Sequence, residues 1–467
     1  MKILTFKLFT IVLFLLTQFA FGQNTVSGTF SQLSKQQIRL EGFNGFDTYV
    51  IDSTQSDENG NFTLKYSSND YGMGYLISED EKPFILIVSG ESIQLKGEAF
   101  AFTESIEIIK GNQNQQFGQY ASEQPRREQA LSAWAYLEKI YSADSLFAVH
   151  QTPHNAIETE KQRINNEDND FLASLDSKSY VSWFLPVRKM VSAVPAIAQY
   201  RTEEIPTTIE AFRNMDYTDT KLYKSGLLRD AIESHFWLIE NSGRSLDSVF
   251  VEMNISIDHM IENLMTDEQK LNEITDYLFR FLEQRSLFGA SEYLAIKVLN
   301  ETACTINNNL AAQLESYRAM KKGNKAPDFN FGNEFYAPGY AGAIPQKLSD
   351  IKAKHTVVVF GAGWCPKCGE ELSQISKHYH KWKAQGVEVV FISLDDNEQT
   401  FKNFAGTFPF ISLCDYQKWD SPVVKDYHVF ATPTMYLLDE KREILLRPNS
   451  VAQMDSWVDW YLVQGNK

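Results

Sequence analysis

Cysteine is scarce in this chain. Only Cys304, Cys365, Cys368 and Cys414 occur among 467 residues, too few to staple a scaffold of this length by disulfides, so apolar cores must hold the folds and the cysteines are available for chemistry. Positive charge is also short. Forty-four Lys and Arg stand against 60 Asp and Glu, for a formal net charge of −16, which argues against any role that needs contact with phosphate backbones. Long apolar runs are missing too. The longest, Leu8 to Leu16, falls short of the roughly 20 residues that a spanning helix needs.

That short run has another use. Lys2 and Lys7 precede it, and Ala20-Phe21-Gly22 follows with small residues at the two positions a signal peptidase reads. Residues 1–22 are therefore expected to be a signal peptide cut after Gly22, which makes the mature protein still more acidic. Gln23 stands where lipid attachment would need a cysteine, so an exported, periplasmic protein with no membrane insertion after cleavage is expected.

At roughly 150 residues per domain the length suggests about three domains. From residue 23 to 110, short alternating runs such as Thr48-Tyr49-Val50-Ile51 and Phe62-Thr63-Leu64, broken by Gly and Asn, predict an antiparallel, sandwich-like β-domain. Asn59-Gly60 between two such runs predicts a tight hairpin. From 111 to 320 the period becomes helical: Leu271, Ile274, Leu278, Phe281 and Leu282 share one face of a helix. Aromatic residues there, such as Trp183, Phe184, Phe236 and Trp237, are read as core. Lys321 to Pro327, polar and broken by Gly and Pro, reads as a linker. From 321 to 467, apolar strands such as Thr356 to Phe360 and Val387 to Ile392 alternate with helices, predicting an α/β sheet covered on both faces.

The chemistry concentrates at Trp364-Cys365-Pro366-Lys367-Cys368, where a buried strand ends and a helix begins. A helix N-terminus offers unpaired N–H groups and a positive end, so it stabilises a thiolate at Cys365, and the thiolate is the nucleophile. Cys368, one turn deeper, is placed to attack a mixed disulfide formed at Cys365. Pro366 suits the first helical position because its missing N–H would have been unpaired anyway. Lys367 is read as a solvated side chain and Trp364 as a shield for the cysteines. Zinc is not expected, because a second cysteine pair is missing and His378 lies ten residues along the helix, about 15 Å from Cys368. Gly369 after Cys368 removes the haem-attachment pattern, and His378 and His380 are read as surface residues.

These residues resemble the thioredoxin superfamily, and within it the exported TlpA/ResA-like thiol–disulfide oxidoreductases. The resemblance rests on Lys325-Ala326-Pro327-Asp328-Phe329, Leu348-Ser349-Asp350-Ile351, the Trp-Cys-x-x-Cys and Ala431-Thr432-Pro433-Thr434, in that order. It implies a cis Pro433 opposite the sulfurs, with Thr432, Pro433 and Trp364 docking an extended substrate. It also implies that Glu371, and less so Glu370, manages the proton of Cys368. Val359 stands where many cytoplasmic thioredoxins carry an acid, which puts more weight on Glu371. Pro366 in the first intervening position and Ser373 in place of a proline depart from the pattern. Residues 24–110, through Asp57 to Phe62 and the Gly111 to Phe117 segment, resemble a β-domain of unknown function found ahead of such domains.

The implied protein is a dithiol enzyme, its Cys365–Cys368 disulfide redox-active, with no other cofactor and no metal. Its partners would be protein thiols and disulfides and a membrane electron donor for re-reduction. Two rivals stand beside it: a thiol-dependent peroxidase, which would want a Pro-x-x-x-Thr-x-x-Cys loop missing before Cys365, and a binding protein whose thioredoxin-like domain is secondary. Cys304 and Cys414 are expected to be buried free thiols rather than a disulfide.

Overall fold

The structure is a computed structural model and describes residues 24–301, 314, 318–332, 335–336 and 345–464. The signal-peptide reading of residues 1–22 and Cys304 lie outside the described residues. The chain divides into two compact units, one ending at Val249 and the other starting at Phe250.

In the first unit, strands β1 (Asn24–Phe30), β2 (Gln37–Asn44), β3 (Asp47–Gln55), β4 (Asn61–Tyr66), β5 (Gly72–Ile77), β6 (Phe84–Val88), β7 (Ile93–Gly97) and β8 (Glu107–Lys110) form two four-stranded sheets, ordered β4-β1-β7-β8 and β3-β2-β5-β6. All pairings are antiparallel except β1 with β7. Alternation does the work: Phe62, Leu64 and Tyr66 of β4 point inward and meet Leu40, Leu76 and Leu86 from the other sheet in one core.

The Asn59-Gly60 turn differs from the expected hairpin, because the strands it joins, β3 and β4, belong to different sheets. The Asp57 carboxylate accepts hydrogen bonds from the Asn59 and Asn61 amides at 2.8 and 2.9 Å and so closes the turn on itself. Gly60 sits at φ +74° against β1, where a Cβ would lie 1.8 Å from the Phe30 carbonyl oxygen. Only glycine fits there.

The helices of this unit begin with Asn112–Ala143, and the Gly111 to Phe117 segment explains how they attach. The Asn114 side chain donates to the Ile87 carbonyl and accepts from its amide, at 2.8 and 2.7 Å, satisfying the edge strand β6. Met73 and Ile87 then pack with Tyr120, Val181 and Phe184. Phe184 and Phe236 are core residues, whereas Trp183 and Trp237 are half-buried.

The second unit starts within helix Leu246–Leu264 and continues through Glu268–Gln284 and Phe288–Glu301. The expected face of the middle helix is buried from Leu271 to Leu282. Then follows a six-stranded sheet, ordered β14-β13-β10-β11-β12-β9, from β9 (Phe335–Tyr336), β10 (His355–Gly361), β11 (Val387–Ser393), β12 (Ile411–Cys414), β13 (Thr434–Asp439) and β14 (Ile444–Leu446). Strands β10, β11 and β12 run parallel, β9 and β13 run against them, and β14, antiparallel to β13, runs the same way as β10. Successive residues of β10 serve opposite cores. Val357 and Val359 pack with Leu372, Ile375 and Trp382, whereas Val358 and Phe360 pack with Tyr427 and Tyr436. The strand therefore reads as one continuous apolar run.

Lys321 to Pro327 is not a free linker. Gly323 donates to the Ile444 carbonyl, Ile444 donates to Asn324, and Ala326 donates to Arg442, all at 2.8 Å, so the segment lies along the β13–β14 hairpin. Upstream helices are fixed to the same hairpin. The guanidinium of Arg447 donates to both oxygens of buried Glu283, at 3.1 and 2.6 Å, and lies 3.7 Å from the centroid of the Phe288 ring. The compact unit thus starts well before the linker that marks the α/β domain in the sequence.

Candidate active site

The end of β10 delivers the loop Ala362 to Trp364 to the start of helix Pro366–Ala384. Cys365 is the N-cap of that helix, with extended backbone, and its sulfur accepts from the Cys368 amide at 3.3 Å. Pro366 takes the first helical position as expected. The Cys365 thiol also donates to the Thr432 carbonyl at 3.4 Å. The Thr432–Pro433 bond is cis, as the resemblance implied, and Pro433 is buried beside the half-buried Cys365.

Cys368 is fully buried, in the cluster that holds Val357, Val359, Leu372 and Phe391. Burial, and then its hydrogen bond with Cys365, push the Cys368 thiol up to about 12. One cysteine is reachable and the other is kept protonated. In the reduced protein at pH 8, iodoacetamide is therefore expected to add one label to this pair, at Cys365, with Cys368 labelled only as the pH approaches 12; mass spectrometry of the peptides checks this. The linkage runs the same way. A thiol held protonated by folding contributes stability that is intact below about pH 9 and lost as pH rises toward 12.

Asp395, which the sequence reading passed over, organises the turn before Cys365. It is buried just beyond β11, and both carboxylate oxygens accept from the Gly363 amide, at 3.0 and 3.1 Å. Ser393 donates to the same carboxylate at 2.7 Å. The Leu394 carbonyl accepts from the Trp364 indole at 3.3 Å, and the Leu394 amide donates to Gly361 at 2.8 Å. Residues 393–395 thus clamp both ends of the loop that presents the thiol. The available signal was an acid at the C-terminal end of the parallel strand next to β10, where open α/β sheets build their sites. Asp395→Ala is expected to slow thiol–disulfide exchange at Cys365 about tenfold through a loosened loop, while Asp395→Asn, which can still accept from Gly363, stays within about threefold; exchange rates of both purified variants check this.

Glu371 lies three residues beyond Cys368 on the same helix, and its carboxylate accepts from the Val451 amide at 2.8 Å, at the start of helix Val451–Val458. Trp364 is 48 % exposed. Lys367 is exposed, as is His380. His378 departs from the surface reading: it is half-buried, stacked on Trp382, with its ring nitrogen 3.3 Å from Asp455. Cys414 is a buried free thiol that donates to the Asp395 carbonyl at 3.3 Å and is pushed up to about 11 by burial.

A strand that ends in Trp-Cys-x-x-Cys at a helix N-terminus, faced by a cis proline that opens an antiparallel strand, defines a thioredoxin-like domain. Residues 322–447 match the family described as AhpC/TSA, and the C-terminal part of this chain is a thioredoxin-like domain similar to those of thiol–disulfide oxidoreductases. The chain is 29 % identical to sporulation thiol-disulfide oxidoreductase A of Bacillus subtilis over 116 residues, covering 23 % of this chain and 68 % of that protein. It is 27 % identical to thiol-disulfide oxidoreductase ResA of Bacillus thuringiensis over 99 residues, 21 % of this chain, and spans 57 % of that relative's length. Human nucleoredoxin is 28 % identical over 110 residues, 23 % of this chain and 25 % of that protein. Among solved structures, a thioredoxin-like protein from Bacteroides caccae is 15 % identical and aligns over 55 % of this chain and 92 % of its own, with a TM-score of 0.38. A DsbE-type thiol:disulfide interchange protein from Chlorobium tepidum is 27 % identical over 31 % of this chain and 97 % of its own, with a TM-score of 0.25.

Proposed function

We propose that this protein is an exported, periplasmic thiol–disulfide oxidoreductase that reduces disulfides in protein substrates through Cys365 and Cys368. The observation that carries this reading is the asymmetry of the pair: Cys365 is accessible at a helix N-terminus, and Cys368 is buried and protonated directly behind it.

The electrons balance in two steps. The Cys365 thiolate attacks one sulfur of the substrate disulfide, forming a mixed disulfide and expelling the other substrate sulfur as thiolate. Cys368 loses its proton and attacks Cys365, which forms the Cys365–Cys368 disulfide and releases the second substrate thiolate. Two electrons pass from the dithiol to the substrate. Glu371, held by the Val451 amide one turn along the helix, is the group we assign to accept the Cys368 proton. Thr432 and Pro433 position the substrate chain, and Trp364 flanks it. A membrane-bound dithiol donor then returns the pair to its reduced form. No metal or further cofactor enters this cycle.

Insulin reduction followed by turbidity tests the reading. The purified mature protein with a chemical reductant is expected to accelerate B-chain precipitation, and Glu371→Gln to slow it several-fold. Absence of any acceleration would set the reading aside in favour of a binding role for the upstream domains. A pull-down with both active-site cysteines changed to serine would then retain the partner.

A further inference from the structure

Trp419 stands out as a large apolar side chain left in solvent by a turn that must be forced to present it. It lies in the single 3-10 turn Lys418–Asp420 after β12 and is 41 % exposed. Tyr416 and Lys418, on either side of Gln417, have φ of +59° and +52°. Left-handed conformations are disfavoured for side chains of this kind, and such backbone persists only where surrounding contacts over-determine it.

Those contacts are present. The Asp415 carboxylate accepts from the Gln417 amide at 3.0 Å, and the Lys418 ammonium pairs with Asp396 at 2.5 Å, next in sequence to the Asp395 clamp. The segment that leads into Trp419 is therefore tied down. The result is that the Trp419 ring lies 6.4 Å from the ring of Trp364, tilted by 58°. Trp364 is itself held by the Leu394 carbonyl, so two anchored, half-exposed indoles stand side by side next to Cys365. Phe430, 43 % exposed, lies two residues before the Thr432 carbonyl that accepts from the Cys365 thiol.

Rigid, exposed aromatic side chains are the residues that contribute most at binding surfaces, because they bury large apolar area at small entropic cost. Resting on the oxidoreductase reading above, we propose that Trp419 and Trp364 form a docking surface for one occupant: an extended polypeptide whose disulfide cysteine is flanked by a large aliphatic or aromatic residue. Continuity with the thiol decides this choice. The indoles begin at the residue next to Cys365, so whatever they receive must lie beside the sulfur under attack. The nearby Lys418 charge is already matched by Asp396, leaving apolar contact as the basis of selection. Trp419 is thus a specificity residue that favours disulfide cysteines flanked by large apolar side chains over those flanked by small polar ones.

The test compares two short peptide disulfides that differ only beside the cysteine, one with leucine and phenylalanine and one with glycine and serine. Wild type is expected to favour the apolar peptide about tenfold in kcat/KM, expressed in KM. Trp419→Ala is expected to lose that preference with kcat unchanged, and Trp419→Phe to restore most of it. Thermal midpoints verify that both variants fold. In parallel, the same peptides with serine in place of cysteine are titrated against each protein by fluorescence, a readout that needs no redox chemistry. An apolar preference in this binding that Trp419→Ala removes supports the docking surface even if no disulfide is reduced, so failure of the two readings can be told apart. Equal binding of both peptides, or a preference that Trp419→Ala leaves intact, overturns the proposal.

Discussion

Cys365→Ser is expected to abolish disulfide reduction, a loss of at least ~10³-fold, whereas Cys368→Ser keeps the first attack and accumulates a mixed disulfide. The two losses differ because the two sulfurs sit in different surroundings. Cys365 is half-buried at the helix N-cap, where the Cys368 amide donates to it and the Thr432 carbonyl accepts from it. A serine there keeps the polar contacts and removes the nucleophile. Cys368 is sealed in an apolar cluster and cannot meet a substrate directly, so its replacement leaves attack intact and removes release. Non-reducing electrophoresis after exposure to a substrate disulfide distinguishes them: a trapped adduct with Cys368→Ser and none with Cys365→Ser.

The second large effect concerns the fold. Glu283→Ala is expected to destabilise the second unit by roughly 3–5 kcal/mol, because it strands the Arg447 guanidinium, which is only 15 % exposed, without its carboxylate. For a unit of this size that corresponds to a fall of about 10 °C in Tm. The doubly apolar variant Glu283→Leu with Arg447→Met is expected to recover most of the loss, since a buried pair is costly to break and cheap to replace. Chemical and thermal denaturation of the full chain measure both. A Glu283→Ala protein as stable as wild type would mean that the pair does not join the helices to the β13–β14 hairpin energetically.

Much of this was legible in residues because it depends on local pattern. The apolar run Thr356 to Phe360 indicated a strand covered on both faces, and both cores exist. The Trp-Cys-x-x-Cys with proline in the first helical position gave the N-cap geometry, since helix termini are encoded within a few residues. What escaped depends on contacts between distant segments. Asp395 lies 32 residues from the Gly363 amide it holds, and nothing in its neighbourhood announces that partner. The Asn59-Gly60 turn has the composition of a hairpin, yet the sheet each flanking strand joins is decided by its other neighbours. Lys321 to Pro327 has linker composition, yet its backbone finds partners along β14. The resemblance implies a role for Glu371 beside Cys368, but it does not reveal that the carboxylate also caps helix Val451–Val458.

If Cys365 and Cys368 cycle as one two-electron couple, their reduction potential reports it most directly. The purified protein is equilibrated in buffers of defined glutathione ratio and its free thiols are counted. A single transition of two thiols, with a potential near thioredoxin's at roughly −270 mV, is the predicted result. A potential near −120 mV would make the pair an oxidant and contradict the proposed direction, and a pair that never forms a disulfide at any ratio would contradict the account as a whole.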